Sequence, residues 1–344
     1  MLKLMPNTLM RIPTKVLGHI YLIILLVFIS AKGAHSEINS SEPPHSTIYL
    51  VHSDDDISTN KFYIPLIRAL KSQFAPERIK IISTHDSPLA QLDGQLSGAN
   101  KCILSIDSQS LDRVLATRTQ TPIFSTHTPQ IDLDDQIRKY RQFGVTLSGI
   151  YQEQSFARQL MLAKAIDSKL DTTVIILGRK TRYSLDNYKV ITRNHAMDLS
   201  YIILKRNGSP HNFLSNLSNH SKFLVTINDQ HHYSNDNLQA LLITSYKTKI
   251  PIIGNKAEDS LNAAIASVYT PLELLALETT NELPDYCNNS RSKQAKVNHL
   301  FQPHYSKAFY VSINEQIANH LNYPNLAEEL LFQQLLDIEL SKGK

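Results

Sequence analysis

Short apolar runs alternate with amphipathic stretches along most of this 344-residue chain. Runs such as "TIYLVHS" (47–53) and "TTVIILG" (172–178) have the length and the β-branched content of strands, whereas "NKFYIPLIRALKSQ" (60–73) has helical spacing. Parallel strands that are buried on both faces give continuous runs of Val, Ile and Leu, and helices connect them. The sequence therefore predicts an α/β fold built from βαβ units.

The strand-like runs form two sets, which predict two doubly wound parallel-sheet lobes. The first set lies at 47–53, 78–84, 101–107 and 121–127. The second set lies at 172–178, 201–206, 222–228, 250–254 and 263–269, with helices near 152–168 and 234–248. The segment 181–200 is ambiguous, because "YKVITRN" could form a strand while its spacing favours a helix.

The N-terminal residues 1–36 differ from the rest of the chain. Basic residues precede the apolar run "IYLIILLVFI" (20–29), and the small residues Ala34 and Ser36 then occupy the −3 and −1 positions of a cleavage site. This order predicts a secretory signal peptide. The alternative is an uncleaved anchor, for which the run is short, because a membrane span needs about 20 residues. We expect a soluble periplasmic protein.

The net charge of +4 belongs to the leader. Residues 1–36 contain four basic side chains and no acidic one, namely Lys3, Arg11, Lys15 and Lys32. Without them, the chain of 35 basic and 31 acidic residues becomes formally neutral. The basic composition therefore gives no reason to expect nucleic acid or a lipid surface as a partner.

Only two cysteines occur, Cys102 and Cys287, and neither follows the leader closely enough for lipid attachment. Export would permit a disulfide between them. Cys102 lies inside an apolar strand, however, where a buried free thiol is common. We expect the free thiol, with the disulfide as the alternative.

Sequence motifs for catalysis or nucleotide binding are missing. The chain has only 10 glycines and contains no Gly-rich phosphate loop, no G-x-S-x-G, no H-E-x-x-H and no C-x-x-C. The turn after the first strand, "HSDDD", would repel phosphate. An α/β hydrolase-like enzyme is therefore an unsupported reading, and we expect no catalytic residue and no cofactor.

Two clusters could bind metal on composition alone. Asp54 to Asp56 could coordinate a hard cation, but a solvated loop that caps the next helix explains them as well. His231 and His232 are adjacent, so in an extended segment they point to opposite sides and cannot easily hold one ion. We predict no metal site, and interpret "DQHHY" as a solvated loop or a pocket wall.

Three longer segments resemble the substrate-binding proteins of ABC transporters, in the tryptophan/tyrosine-type group. They are "GVTLSGIYQEQSFARQLMLAKAI" (144–166), "LVTINDQHHYSNDNLQALLITSYKTKIPIIGNKAEDSLNAAIASVY" (224–269) and "SKAFYVSINEQIANHLN" (306–322). The likeness covers nearly all of residues 46–322. It implies the type I periplasmic-binding-protein fold, in which two lobes joined by three crossovers close on a small ligand.

The resemblance also implies domain boundaries and site residues. The N-terminal lobe would comprise 45–148 plus 270–305, and the C-terminal lobe 149–269 plus 306–335. Open α/β sheets bind ligands at the carboxyl ends of their strands, and the implied contacts are Ser108, Thr126, Tyr151, Asp229, Tyr233, Asn255 and Tyr269. Asp229 would suit a ligand ammonium, and the Ser108 hydroxyl would suit a carboxylate.

The implied function is capture of a small organic, amino-acid-like ligand for an ABC permease, by a protein that we expect to be monomeric. The chain departs from the family pattern in the pocket-facing loop, where Asn228 and Gln230 replace prolines on either side of Asp229. An exported sensory or accessory protein of the same fold, which engages a membrane protein, is therefore the alternative.

Overall fold

The fold was analysed in a computed structural model, which describes residues 46–54, 57, 60–85, 87–204, 214, 222–229, 235–289 and 302–342. The predicted leader (1–36) lies outside these residues, as do Asp55, Asp56, His231, His232 and Tyr233.

The described elements alternate as the sequence predicts. The strands are β1 (Thr47–His52), β2 (Ile79–Ser83), β3 (Lys101–Ser105), β4 (Ile123–Thr128), β5 (Leu147–Tyr151), β6 (Thr172–Leu177), β7 (Asp198–Ile203), β8 (Lys222–Val225), β9 (Ile252–Gly254), β10 (Ala266–Tyr269) and β11 (Tyr310–Ile313). The helices are α1 (Tyr63–Gln73), α2 (Leu89–Leu96), α3 (Ser108–Ala116), α4 (Gln130–Tyr140), α5 (Phe156–Ile166), α6 (Leu185–Asn194), α7 (Asn235–Thr248), α8 (Ala257–Asn262), α9 (Leu272–Asn289), α10 (Glu315–His320) and α11 (Glu328–Lys342).

Two sheets confirm the predicted fold class. The first has five parallel strands in the order β2-β1-β3-β4-β5. The second has the order β11-β10-β9-β8-β6-β7 and is parallel except for the antiparallel pair β10 and β11. The ambiguous segment contains helix α6 before strand β7, as its spacing favours. Among the described residues, no helix is both long and apolar enough to span a membrane.

The inner strands of each sheet are buried on both faces, which explains their continuous apolar runs. In β1, Ile48 and Leu50 pack with α1 and α9 on one face, while Tyr49 and Val51 pack with α2 and α3 on the other. In β6, Ile175 and Ile176 likewise belong to opposite clusters. Burying one such aliphatic side chain contributes about 1.5–3 kcal/mol. The four hydrophobic clusters, one on each face of each sheet, therefore stabilise the two lobes. Here, "first lobe" and "second lobe" denote each sheet with the helices packed on it.

The chain passes between the two sheets three times. The first crossover (152–155) leads from β5 to α5, the second (270–271) leads from β10 to α9, and the third (302–309) leads back to β11. Helix α9 packs on α1 and β4 of the first lobe, whereas α11 packs on α5 and β11 of the second. The predicted boundaries at 148 and 305 stay predictions, although β5 continues to Tyr151 in the first sheet.

The cysteine prediction is wrong, because Cys102 and Cys287 form a disulfide. Cys102 lies on β3 and Cys287 on α9, and their Cα atoms are 5.7 Å apart. The bond is buried among Phe74, Phe124 and Tyr286. It fastens the segment that returns from the second lobe to the sheet of the first.

Candidate functional site

The carboxyl ends of β1 and β3 are joined by one carboxylate. Asp107 accepts hydrogen bonds from the backbone N–H and the hydroxyl of Ser53, at 3.2 and 2.9 Å. It also caps α3 by accepting from the N–H of Ser110. Among the described residues, Asp54 accepts from the side chain of Asn60 at 2.8 Å, and the capping role predicted for the acidic trio stays a prediction. Asp107 is thus the residue that orders this edge of the first lobe.

Ser108, a predicted ligand contact, begins α3 and is connected to the second lobe through Asp132. Its hydroxyl donates to Asp132 at 2.8 Å. The other oxygen of Asp132 accepts from Lys180, on the loop after β6, at 3.0 Å. This chain of contacts links the two lobes.

Two other predicted contacts are engaged inside the first lobe. Thr126 is fully buried, and its hydroxyl lies 2.9 Å from that of Thr279 on α9. The Thr126 hydroxyl is therefore already paired inside the first lobe, and we do not propose it as a ligand contact. Tyr151 donates its hydroxyl to Asp134 at 2.6 Å and packs edge-on against Tyr305, so its ring forms a wall without offering a free donor.

His127 is a site residue that the sequence reasoning missed. Its φ of 55° is left-handed, and the β4–β5 register shifts between Thr126 and Thr128, which identifies a bulge. Non-Gly residues in this conformation concentrate at functional sites. The imidazole stacks on Phe62 with centroids 4.9 Å apart and lies 3.2 Å from the side-chain nitrogen of Gln152. Burial lowers the pKa of His127, so the ring is held neutral.

Glu153, on the first crossover, is a buried acid with 9% exposure. Its two oxygens lie 3.1 and 3.2 Å from the backbone N–H of Gln130, which begins α4. Burial raises the pKa of Glu153 to about 7, although hydrogen bonds and Lys256 oppose the rise. A carboxyl whose pKa is raised by burial therefore lies where the two lobes meet.

The second lobe meets the first crossover through Asn228. This residue follows β8, and its side-chain Nδ2 donates to Gln152 Oε1 at 3.3 Å and to Glu153 Oε2 at 3.2 Å. The next residue, the predicted Asp229, accepts from the hydroxyl of Thr181 at 2.9 Å. Residues from β4, the first crossover and β8 thus meet at one place.

The remaining predicted residues lie farther along the second sheet. Asn255 is buried, and its backbone N–H donates to Asp259, whose pKa is raised by burial. Lys256 follows Asn255 and acts electrostatically on both His127 and Glu153. The described contacts of Tyr269 are with β11, where its ring packs against that of Tyr310. Asp259 also accepts from the hydroxyl of Thr226, directly after β8, and so connects Asn255 to the end of that strand. The described contacts of Tyr269 lie elsewhere.

A cluster of possible metal ligands lies at the third crossover, away from the predicted loop. Within the described residues, ligand atoms of Glu278, Glu282 and His304 lie within 4.8 Å of one another. These carboxylates already accept from the Ser306 hydroxyl, the Lys307 backbone and side chain, and His304. The cluster is an ion-pair network that fastens the third crossover to α9.

This network predicts a pH-dependent contribution to stability. The hydrogen bond with Glu282 raises the pKa of His304, so its contribution is full below about 6.5 and is lost as the pH rises through the folded-state pKa. Burial opposes ionisation of Glu282, but the bonds from His304 and Lys307 lower its pKa, so its contribution is lost only in acid. We expect His304→Gln to lose up to about 1 kcal/mol near pH 5.5 and less near pH 8.5. Urea unfolding at both pH values measures this, and equal losses would contradict it.

Comparisons with known proteins agree on the fold. No protein-family model matches the chain, and no curated protein matches it. Among solved structures, a ligand-free, open substrate-binding protein with adhesive properties from Clostridium difficile, CD0873, aligns at a TM-score of 0.61. It shares 16% identity, over 82% of this chain and 96% of that one.

Two further structures align over similar lengths. A conserved domain protein from Vibrio cholerae aligns at a TM-score of 0.55 with 12% identity, over 84% of this chain and 98% of that one. An ABC domain from Streptococcus pneumonia, solved in complex with L-Trp, aligns at 0.53 with 12% identity, over 83% and 98%. The resemblance to ABC-transporter substrate-binding proteins is thus confirmed as a likeness of fold, and the chain has the type I periplasmic-binding-protein-like architecture.

Proposed function

We propose that this protein is a periplasmic solute-binding protein, which captures a small organic, amino-acid-like ligand between its lobes for an ABC permease. The observation that carries the proposal is the contact of Asn228, at the end of β8, with Gln152 and Glu153 on the first crossover. Polar groups of both lobes converge there, at the strand ends where open α/β sheets bind ligands. A ligand that contacts both lobes would favour the closed arrangement. The proposal involves no catalytic step.

Export to the periplasm is part of this proposal. It rests on the leader sequence in residues 1–36, and the buried Cys102–Cys287 disulfide supports it, because such bonds persist in oxidising compartments. The ABC permease is proposed on the resemblance.

Asp229 is the residue through which we propose to test ligand capture. Its carboxylate follows a buried strand and accepts a hydrogen bond from Thr181. A ligand N–H or O–H group that donates to this carboxylate would gain a charge-assisted hydrogen bond, which contributes about 1.5–3 kcal/mol. We therefore expect Asp229→Asn to weaken binding by roughly ten- to hundredfold. Thermal-shift screening of amino acids and other small organic molecules would supply the ligand, and calorimetric titration would measure the affinity.

A matched control is Asp186→Asn. Asp186 lies on α6 of the same lobe, and its side chain is 96% exposed and paired only with Lys189 at 3.4 Å among its described ion pairs. We expect unchanged affinity in this variant. Equal affinity in Asp229→Asn and wild type would remove Asp229 from the site, whereas failure of every small molecule to bind would contradict ligand capture itself.

A sensory or accessory role remains the alternative, because Asn228 and Gln230 replace the prolines of the family pattern. An accessory protein that engages a membrane protein would not require ligand capture, so failure of every small molecule to bind would favour that role. A sensor that captures a ligand would give the same result as a transport protein in the tests above. Neighbouring permease and ATPase genes would favour transport, and a lone gene beside a signalling protein would favour sensing.

A further inference from the structure

Glu153 is placed to respond to a ligand because it touches both lobes. Its carboxyl accepts from the N–H of Gln130, at the start of the 11-residue helix α4 in the first lobe. It also accepts from Nδ2 of Asn228 in the second lobe. The positive end of the α4 dipole favours a negative charge at this position.

Asn228 has an acceptor without a partner beside this carboxyl. Its side chain is buried, at 9% exposure, and Nδ2 is taken up by Gln152 and Glu153. No described residue donates to Oδ1 of Asn228. Since a buried acceptor left unpaired costs about 1–3 kcal/mol, a donor from a ligand would be stabilising there.

The groups around Glu153 do not supply a direct cationic partner within the described residues. Tyr151 gives its hydroxyl to Asp134, and Tyr305 gives its hydroxyl to the side chain of Gln130. Lys256 acts on Glu153 electrostatically and without a described ion pair. The titratable and charged groups that surround the position are Tyr151 on β5, Tyr188 on α6, Tyr305 on the third crossover, Lys256 before α8, Asp229 after β8, His127 on β4 and Asp134 on α4.

We propose that Glu153 and Asn228 form the subsite for a ligand ammonium group, and that seating this group expels a proton from Glu153. The inference rests on the proposed ligand capture and names the chemistry of the ligand. The protonated carboxyl loses H⁺ to solvent, the resulting carboxylate pairs with the R–NH₃⁺ group, and Oδ1 of Asn228 accepts a second N–H. No bond other than O–H is broken. Because burial sets the pKa of Glu153 at about 7, the carboxyl is partly protonated before binding at neutral pH.

The test compares ligands that differ only in the amine. L-amino acids, their N-acetyl derivatives and the 2-hydroxy acids with the same side chains are screened by thermal shift. The best amine is then titrated calorimetrically in phosphate and in Tris at pH 7, because the difference in buffer ionisation heat counts released protons. We expect the amine to bind at least tenfold more tightly than either analogue. We expect release of a measurable fraction of a proton per ligand, because the raised pKa leaves the carboxyl partly protonated at this pH.

Two variants identify the side chain that releases the proton. Glu153→Gln keeps the shape of the side chain, and it should abolish proton release and weaken the binding of the amine by a factor at least tenfold larger than it weakens the binding of the 2-hydroxy acid. His127→Asn should retain the release whatever its effect on affinity, because the released proton is that of Glu153. The wild-type ligand comparison and proton count do not depend on either variant folding.

The outcomes separate the two proposals. Equal binding of amines and analogues, absence of proton release in wild type, or release that persists in Glu153→Gln would overturn the ammonium subsite while ligand capture stands. If no small molecule stabilises the protein, the proposed function fails and this inference fails with it.

Discussion

Replacing both Cys102 and Cys287 with alanine is expected to lower the free energy of unfolding by about 2–5 kcal/mol. The bond closes a loop with a sequence separation of 185 residues. Long loops lose the most entropy when the unfolded chain is cross-linked, so the effect belongs at the upper part of this range. For a chain of this size, the melting temperature should fall by roughly 5–15 °C.

Reduction of the wild-type protein provides the matched control for this prediction. Dithiothreitol should lower the melting temperature of wild type but leave that of the double alanine variant unchanged, because the variant has no bond to reduce. Ligand affinity in the folded variant should be preserved, since the disulfide is buried on the side of the first sheet that packs against α9. A wild-type melting temperature that is the same before and after reduction, with the free thiols verified by mass, would contradict the prediction.

The disulfide also shows what a local sequence pattern cannot predict. The residues around Cys102 predict a buried strand, and the structure confirms this, with Cys102 fully buried on β3. Its partner lies on α9, which follows strands β6 to β10 of the second lobe. Only the return of the chain through the second crossover brings the two sulfurs together, and no periodicity near either cysteine reports that return.

The fold was predictable because each strand carries its own signal. The buried runs in β1, β6 and β8 are continuous because helices cover both faces of each sheet. The ends of the elements were less certain: the run at 222–228 predicted a longer strand than β8 (Lys222–Val225). Hydrophobic runs continue beyond the last paired residue, since Ile227 is buried although it lies outside the strand.

The site was predicted only in part, because its geometry depends on where loops meet. The sequence reasoning selected Tyr151 but not Glu153, two residues later in "YQEQS", although a polar run directly after a buried strand was a usable signal. It did not select His127 either. The bulge that turns His127 towards Gln152 is a backbone feature that residue type does not predict.

The three crossovers are held together by one buried polar cluster, centred on Gln154 of the first crossover. Its side-chain nitrogen donates to the Thr270 hydroxyl on the second crossover and to the Ala308 carbonyl, 2.9 Å away, on the third. Its oxygen accepts from Arg158, which also donates to the Ser306 carbonyl at 3.1 Å. The polar groups of the three crossovers are therefore paired with one another, and closure of the lobes on a ligand would use this cluster as its hinge.

Arg158 is expected to be the most sensitive residue of this joint. Its Nη2 donates to Glu339 of α11 at 2.8 Å while Nε donates to the other oxygen, and the guanidinium lies over the ring of Phe309 at 4.4 Å. Breaking a buried pair by removing one partner costs about 3–5 kcal/mol, because the remaining groups stay buried and unpaired. We expect Arg158→Met to lower the free energy of unfolding, measured with urea, by this amount. Arg158→Lys should lose less stability than Arg158→Met but more than none, because an ammonium cannot make the bidentate contact with Glu339.

Exposure separates this pair from an ordinary surface ion pair. The side chain of Arg158 is 9% exposed and that of Glu339 is 28% exposed, so water can replace the arginine at Glu339 better than it can replace the glutamate at Arg158. Glu339→Gln should therefore cost less than Arg158→Met. Arg138→Met is the matched control, since Arg138 pairs with Asp135 at the surface with exposures of 68% and 43%, and should cost at most about 1 kcal/mol. If Arg158→Met and Arg138→Met lose equal stability, the cluster at Gln154 does not hold the crossovers together.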